Sequence, residues 1–156
     1  MFGSFFSSPP KLIGFEDLLT VTKKPSEYIL INTMPNDSQD ILIPTTLEYT
    51  KEESCINFII ESNKSGMNSV SIVIYGKNSC DHTVNAKYKQ IKRYGFSHVY
   101  IYQGGLFEYL LLNDIYGNEN FPLTLNAESG VYKNTNAAQT TNIDILKYKP
   151  DNVMLF

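Results

Sequence analysis

Three short, nearly unbroken apolar runs constrain this chain most: Tyr28-Ile-Leu-Ile-Asn-Thr33, Ser71-Ile-Val-Ile-Tyr75 and His98-Val-Tyr-Ile-Tyr102. Their β-branched and aromatic side chains suit strands, and the near absence of polar alternation in the first two means that both faces must be covered. Such strands belong to a parallel sheet between helical layers. The intervening segments have the matching period. Thr50 and Glu53 form a capping-box signature, after which Cys55, Ile56, Phe58, Ile59 and Ile60 supply an apolar helix face that ends toward Asn63 and Gly66. Beyond the second run, Val84, Tyr88 and Ile91 recur at helical spacing, with Lys87, Lys89, Lys92 and Arg93 on the other face and Gly95 placed as a C-terminal cap. The third run enters Gly104-Gly105, and residues 106–113 read as another apolar helix. Alternating strands and helices predict an α/β layered domain with a mainly parallel central sheet.

A chain of 156 residues has room for one core. Its 13 Lys plus Arg against 16 Asp plus Glu leave a net charge of -3, with no basic excess for phosphate backbones, so no nucleic-acid partner is expected. No apolar run approaches the roughly 18–20 residues of a membrane span, and Met1-Phe2-Gly3-Ser4-Phe5-Phe6 lacks the basic flank and length of a signal peptide. The expected location is intracellular. Cys55 and Cys80 are too few for a disulfide framework, and with His82 and His98 they show no metal-ligand spacing, so neither metal nor cofactor is expected. Arg93 is the only Arg, Trp is absent and Asn, Ile and Tyr are abundant, a composition typical of AT-rich coding.

The pattern divides the chain into an N-terminal extension (residues 1–10), a domain (11–116) and a C-terminal extension (117–156). The last part holds an aperiodic polar stretch at 134–142 and the apolar islands Ile143-Asp-Ile-Leu-Lys-Tyr148 and Val153-Met-Leu-Phe156. Both extensions, the first with Phe2, Phe5 and Phe6 before Pro9-Pro10, either pack along the domain or dock on a protein partner.

In open α/β sheets, ligands bind outside the carboxyl ends of the strands, here near residues 32–35, 76–82 and 103–105. The spacing of Gly95-Phe96, Val99, Tyr102, Gly104-Gly105 and Tyr109 resembles the pattern that closes the last strand of rhodanese domains. Leu30-Ile31-Asn32-Thr33-Met34 and Leu42-Ile43-Pro44-Thr45-Thr46 match two upstream segments of that family in their apolar positions. The resemblance covers residues 15–112 and implies a three-layer domain with helices on both sheet faces. The stretch from Gly105 to Gly117, with Phe121-Pro122 after it, is also similar to small rhodanese-like proteins of large DNA viruses and protists. That likeness implies a component in or on a virus particle or another assembly.

The resemblance places the catalytic cysteine of the family at Gly76. Sulfur transfer needs a thiolate in a cradle of backbone N–H groups at a helix N-terminus, where those dipoles lower its pKa. Glycine keeps the cradle and removes the nucleophile. Asn32 and Met34 stand where the family usually has Asp and Arg, and the loop Lys77, Asn78, Ser79, Cys80, Asp81, His82 contains no Arg. These losses imply a catalytically inactive module, its degenerate loop spanning Gly76 to His82 and its rim formed by Asn32, Met34, Gly104 and Gly105. The alternative is a thiol enzyme that uses Cys80 as a displaced nucleophile, although Asp81 beside it opposes thiolate formation. His82, two residues on, is poorly placed as its base. Cys55 reads as a small core residue, and Lys77 as a solvated lysine or an aid to a small anion held by the loop amides.

Overall fold

The computed structural model describes residues 8–62 and 66–125. The terminal aromatic cluster Phe2, Phe5 and Phe6 and the apolar islands after residue 142 lie outside these residues. The chain runs β1 (Lys11–Ile13), α1 (Phe15–Lys23), β2 (Tyr28–Asn32), β3 (Ile41–Leu42), α2 (Tyr49–Ser62) and α3 (Gly66–Ser69). It continues with β4 (Ser71–Tyr75), α4 (Thr83–Arg93), β5 (His98–Tyr102), α5 (Gly105–Tyr116) and β6 (Thr124–Leu125). Four parallel strands form the central sheet in the order β1-β5-β4-β2, and β3 pairs antiparallel with β6 in a small second sheet.

Side chains alternate across a strand, so each apolar run serves both faces. Leu30, Val73, Tyr75 and Tyr102 face a core completed by Leu18 and Val21 of α1, Leu106, Tyr109 and Leu110 of α5, and Phe121. Ile31, Ile72, Ile74, Val99 and Ile101 face a second core closed by Ile56 of α2, Met67 of α3, Val84 and Ile91 of α4, and Phe96. The result is the three-layer α/β domain expected. Burial of each such aliphatic side chain contributes about 1.5–3 kcal/mol, and β4, flanked by two strands and two helical layers, has four of its five residues buried. The β2–α2–β4 and β4–α4–β5 segments link adjacent parallel strands, so α2 is the crossover that its position between two runs implied.

Three local expectations change. Helix α2 begins at Tyr49, so Thr50 is its second residue and not its cap. Phe58 is 69% exposed, because a shift of two residues turns it about 200° from buried Ile56, while Ile59 and Ile60 stay on the inner face. Helix α5 starts one residue earlier than the apolar run and extends to Tyr116, where Gly117 at φ 82° ends it. The cap at Gly95 holds, with φ 102°.

β1 and α1 carry no signal long enough to be read. β1 has three residues, none of them fully buried, and α1 has nine, with Glu16 and Asp17 in its first turn. Phe121 packs edge-on against Tyr109 with ring centroids 5.6 Å apart, and Tyr109 donates a hydrogen bond of 2.9 Å to the Pro122 carbonyl. Residues just past α5 thus belong to the core. Among the described residues, no helix is long and apolar enough to cross a membrane.

Candidate functional site

The carboxyl ends of β2, β4 and β5 bring together the three segments singled out in the sequence. Thr33 N–H donates to the Tyr75 carbonyl at 3.0 Å, which holds the β2 exit against β4. Residue 76 follows directly and is buried. On the other side, the first turn of α5 sits on the loop, with Leu106 N–H donating to the Gly76 carbonyl and Phe107 N–H to the Lys77 carbonyl, both at 2.9 Å. Gly105 makes this approach feasible. Its φ is 68°, and a Cβ there would lie 2.7 Å from the Gly76 carbonyl oxygen and 2.9 Å from the Asn78 nitrogen.

The space beside Gly76 is not open. Asp81 turns its carboxylate back into the loop. Its Oδ2 accepts from Lys77 N–H at 2.9 Å, and its Oδ1 accepts from Thr83 N–H at 3.0 Å and from Thr83 Oγ1 at 2.6 Å. Thr83 Oγ1 also lies 2.8 Å from Thr33 Oγ1. A hydroxyl has one proton and an ionised carboxylate has none, so Thr83 donates to Asp81 and Thr33 donates to Thr83. The chain Thr33–Thr83–Asp81 therefore ties the β2 exit to the start of α4. Partial burial works against ionisation of Asp81. It is outweighed by the hydrogen bonds from Thr83 Oγ1, Lys77 N–H and Thr83 N–H and by nearby His82, so the carboxyl stays below its ordinary range.

Two further loop donors are also engaged. Cys80 N–H donates to Asn78 Oδ1 at 3.0 Å, and Asp81 N–H to the Asn78 carbonyl at 3.2 Å. The cavity beside the loop, bordered by Asn78, Ser79, Asp81, Asn85, Tyr102 and Gln103, measures about 80 Å³. Organic ligand pockets run to roughly 300–1,000 Å³, so this one admits only a very small molecule. Lys77 is exposed and serves the loop through its backbone N–H. Cys80 is an exposed free thiol three residues before α4, and His82 occupies the N-cap position of α4 with no side-chain cap bond. No hydrogen bond joins Cys80 to His82 among the described residues. Cys55 is half-buried on α2, and burial pushes its thiol pKa up.

The rim residues take structural parts. Asn32 is 6% exposed, accepts from Met34 N–H at 3.1 Å and donates to Gln39 at 3.4 Å, while Gln39 donates to the Met34 carbonyl at 2.8 Å. This amide network shapes the β2 exit without charge. Met34 points into the core with Leu42 and Ile43 and also borders a cleft. Gly104 is half-buried beside Glu108, which accepts from the Tyr102 hydroxyl at 2.8 Å.

Sequence reasoning missed that cleft. It lies between the β2 exit, α2 and α4, encloses about 490 Å³, and is lined in part by Thr33, Tyr49, Glu52, Thr83, Lys87 and Arg93. A groove of about 440 Å³ between α2 and α4 shares Tyr49, Glu52 and Lys87 with it. The Lys87–Glu52 ion pair spans the two helices there. Only the alternation of Lys87 and Arg93 with apolar positions on α4 hinted at such a face. Among the described residues, no three His, Cys, Asp or Glu side chains gather as a metal site.

No protein-family model matches the chain, and no curated protein matches it. Among solved structures it is similar to an uncharacterized protein from Saccharomyces cerevisiae, at 15% identity and TM-score 0.49, covering 69% of this chain and 96% of that one. It is similar to the single domain sulfurtransferase RDL2 from Saccharomyces cerevisiae, at 19% identity and TM-score 0.44, covering 69% and 94%. A third likeness is to the Alr3790 protein from Anabaena sp., at 16% identity and TM-score 0.44, covering 84% and 93%. The chemistry of the site rests on this chain's own side chains.

Proposed function

We propose that this chain is a rhodanese-like module that transfers no sulfur and acts by binding. One observation carries the reading: at the carboxyl end of the central strand, where the rhodanese resemblance calls for a thiolate, residue 76 is glycine and the Asp81 carboxylate holds the surrounding donors. A carboxylate fixed by three hydrogen bonds is a poor nucleophile toward sulfane sulfur, and it repels a second anion from the same donors. That argues against a small anion as a ligand of the loop, and phosphate, sulfate or thiosulfate should leave the thermal midpoint of the protein unchanged.

The N-terminal extension (1–10) and the C-terminal extension (117–156), the latter apart from the core-packed residues 117–125, are the proposed docking elements for a protein partner, since they hold apolar residues in excess of what a solvated tail needs. Placement inside cells, in the cytoplasm or with a virus particle, is part of the same proposal. Stoichiometric recovery with particles or with a larger assembly supports it, and a free monomer in lysate opposes it.

The deciding experiment is intact-mass and peptide mass spectrometry after incubation with thiosulfate and with 3-mercaptopyruvate, beside a Cys80→Ser variant. We expect no sulfur adduct on either cysteine of the folded protein. An adduct on Cys80 that disappears in the variant would make this a thiol enzyme with a displaced nucleophile.

A further inference from the structure

We infer that Gly76 and Asp81 form one coupled element, in which the Asp81 carboxylate and Val84 fill the space of a residue-76 side chain, so that this loop excludes a nucleophile there and does not merely lack one. The inference rests on the reading of residue 76 as the degenerate nucleophile position. A Cβ built on Gly76 would lie 2.5 Å from Asp81 Oδ2, 2.9 Å from Asp81 Cγ and 2.5 Å from Val84 Cγ2. Real Cβ contacts are not that short, so something must move. Neither wall can move cheaply. The carboxylate is tied to Lys77 N–H, Thr83 N–H and Thr83 Oγ1, and Thr83 is tied in turn to Thr33 on another strand exit. Val84 is β-branched, 6% exposed and packed in the second core, so its rotamer is fixed by α4 and by its neighbours.

Gly76 cannot escape by shifting its backbone either. Its carbonyl accepts Leu106 N–H at 2.9 Å, and Gly105 comes so near that carbonyl that a Cβ there would lie 2.7 Å from its oxygen. Restoring a thiol by Gly76→Cys alone is therefore a steric problem before it is a chemical one. The carboxylate must leave the cradle first.

The test is the unfolding equilibrium of the full chain in denaturant, with Gly76→Ala made in the wild type and in an Asp81→Ala, Val84→Ala background that clears both walls. Overpacking of this kind costs about 1–3 kcal/mol, so Gly76→Ala should raise the unfolding constant of the wild type about 5- to 150-fold. In the cleared background the same change should alter it less than about threefold. A wild-type Gly76→Ala protein too unstable to purify, recovered as folded protein in the cleared background, is the same result in stronger form. Equal penalties in the two backgrounds, or a harmless Gly76→Ala in the wild type, would overturn the coupling. Sulfur transfer by wild-type Cys80 would instead overturn the functional reading and leave the coupling intact, so the two failures are distinguishable.

Discussion

Removing one oxygen from the centre of the sheet should destabilise the fold without touching its apolar packing. Tyr75 ends β4 immediately before the loop of residues 76–82 and is fully buried. Its hydroxyl lies 3.3 Å from Ile43 N and 2.8 Å from Thr46 Oγ1, and Thr46 Oγ1 lies 2.6 Å from the Ile43 carbonyl. Thr46 has one proton, and it serves the carbonyl. The Tyr75 hydroxyl therefore donates to Thr46 and accepts from Ile43 N–H, closing a ring that begins and ends at Ile43. Tyr75→Phe leaves the Ile43 N–H without its acceptor in a residue that is 0% exposed. An orphaned buried donor costs about 1–3 kcal/mol, and the gain from burying a less polar ring offsets part of it, so the net loss should be about 2 kcal/mol. For a chain of this size that lowers Tm by about 4–8 °C.

The assay is chemical denaturation followed by far-UV circular dichroism, because the chain has no Trp. The midpoint should fall with the slope unchanged, since the surface exposed on unfolding is the same. Thr46→Val removes the middle of the ring, so its cost and that of Tyr75→Phe should be less than additive in the double variant. A Tyr75→Phe protein within about 0.5 kcal/mol of wild type would refute the ring as a stabilising element.

Three buried phenols predict alkaline lability. Burial raises the pKa of Tyr75, Tyr102 and Tyr109, the last to about 12, and Glu108 adds to the shift at Tyr102. Below about pH 10 the phenols are neutral in both states and exert no pH dependence. Above it the unfolded chain releases protons that the folded chain retains, so stability is lost between about pH 10 and 12. Denaturation midpoints across that range should fall less steeply for Tyr109→Phe, and identical slopes would count against the assignment. Glycine substitutions should separate crowding from φ alone. Gly105→Ala meets backbone atoms at 2.7 and 2.9 Å and should cost about 2–4 kcal/mol, whereas Gly117→Ala, with φ 82° and nothing within 4 Å, should cost only about 1–2. Comparable losses in a thermal melt would show that the approach of α5 to the loop is looser than the distances imply.

β4 and β5 were legible to the residue, and β2 to within one, because a strand covered on both faces must be apolar throughout and that demand is written locally. α4 was legible for a similar reason: its period and its glycine stop lie within its own residues. Local sequence was thus enough for the layered class, the central strands and the glycine that follows the second of them at residue 76. It could not show β1, whose three residues are a strand only because β5 lies beside them, nor the ring that joins Tyr75 to Ile43 and Thr46 across about thirty residues. Nor could it show what fills a missing side chain. A glycine in a sequence records an absence, whereas the entry of the Asp81 carboxylate depends on where Lys77 N–H, Thr83 and Thr33 converge, and only the packed sheet and helices bring those donors to one point.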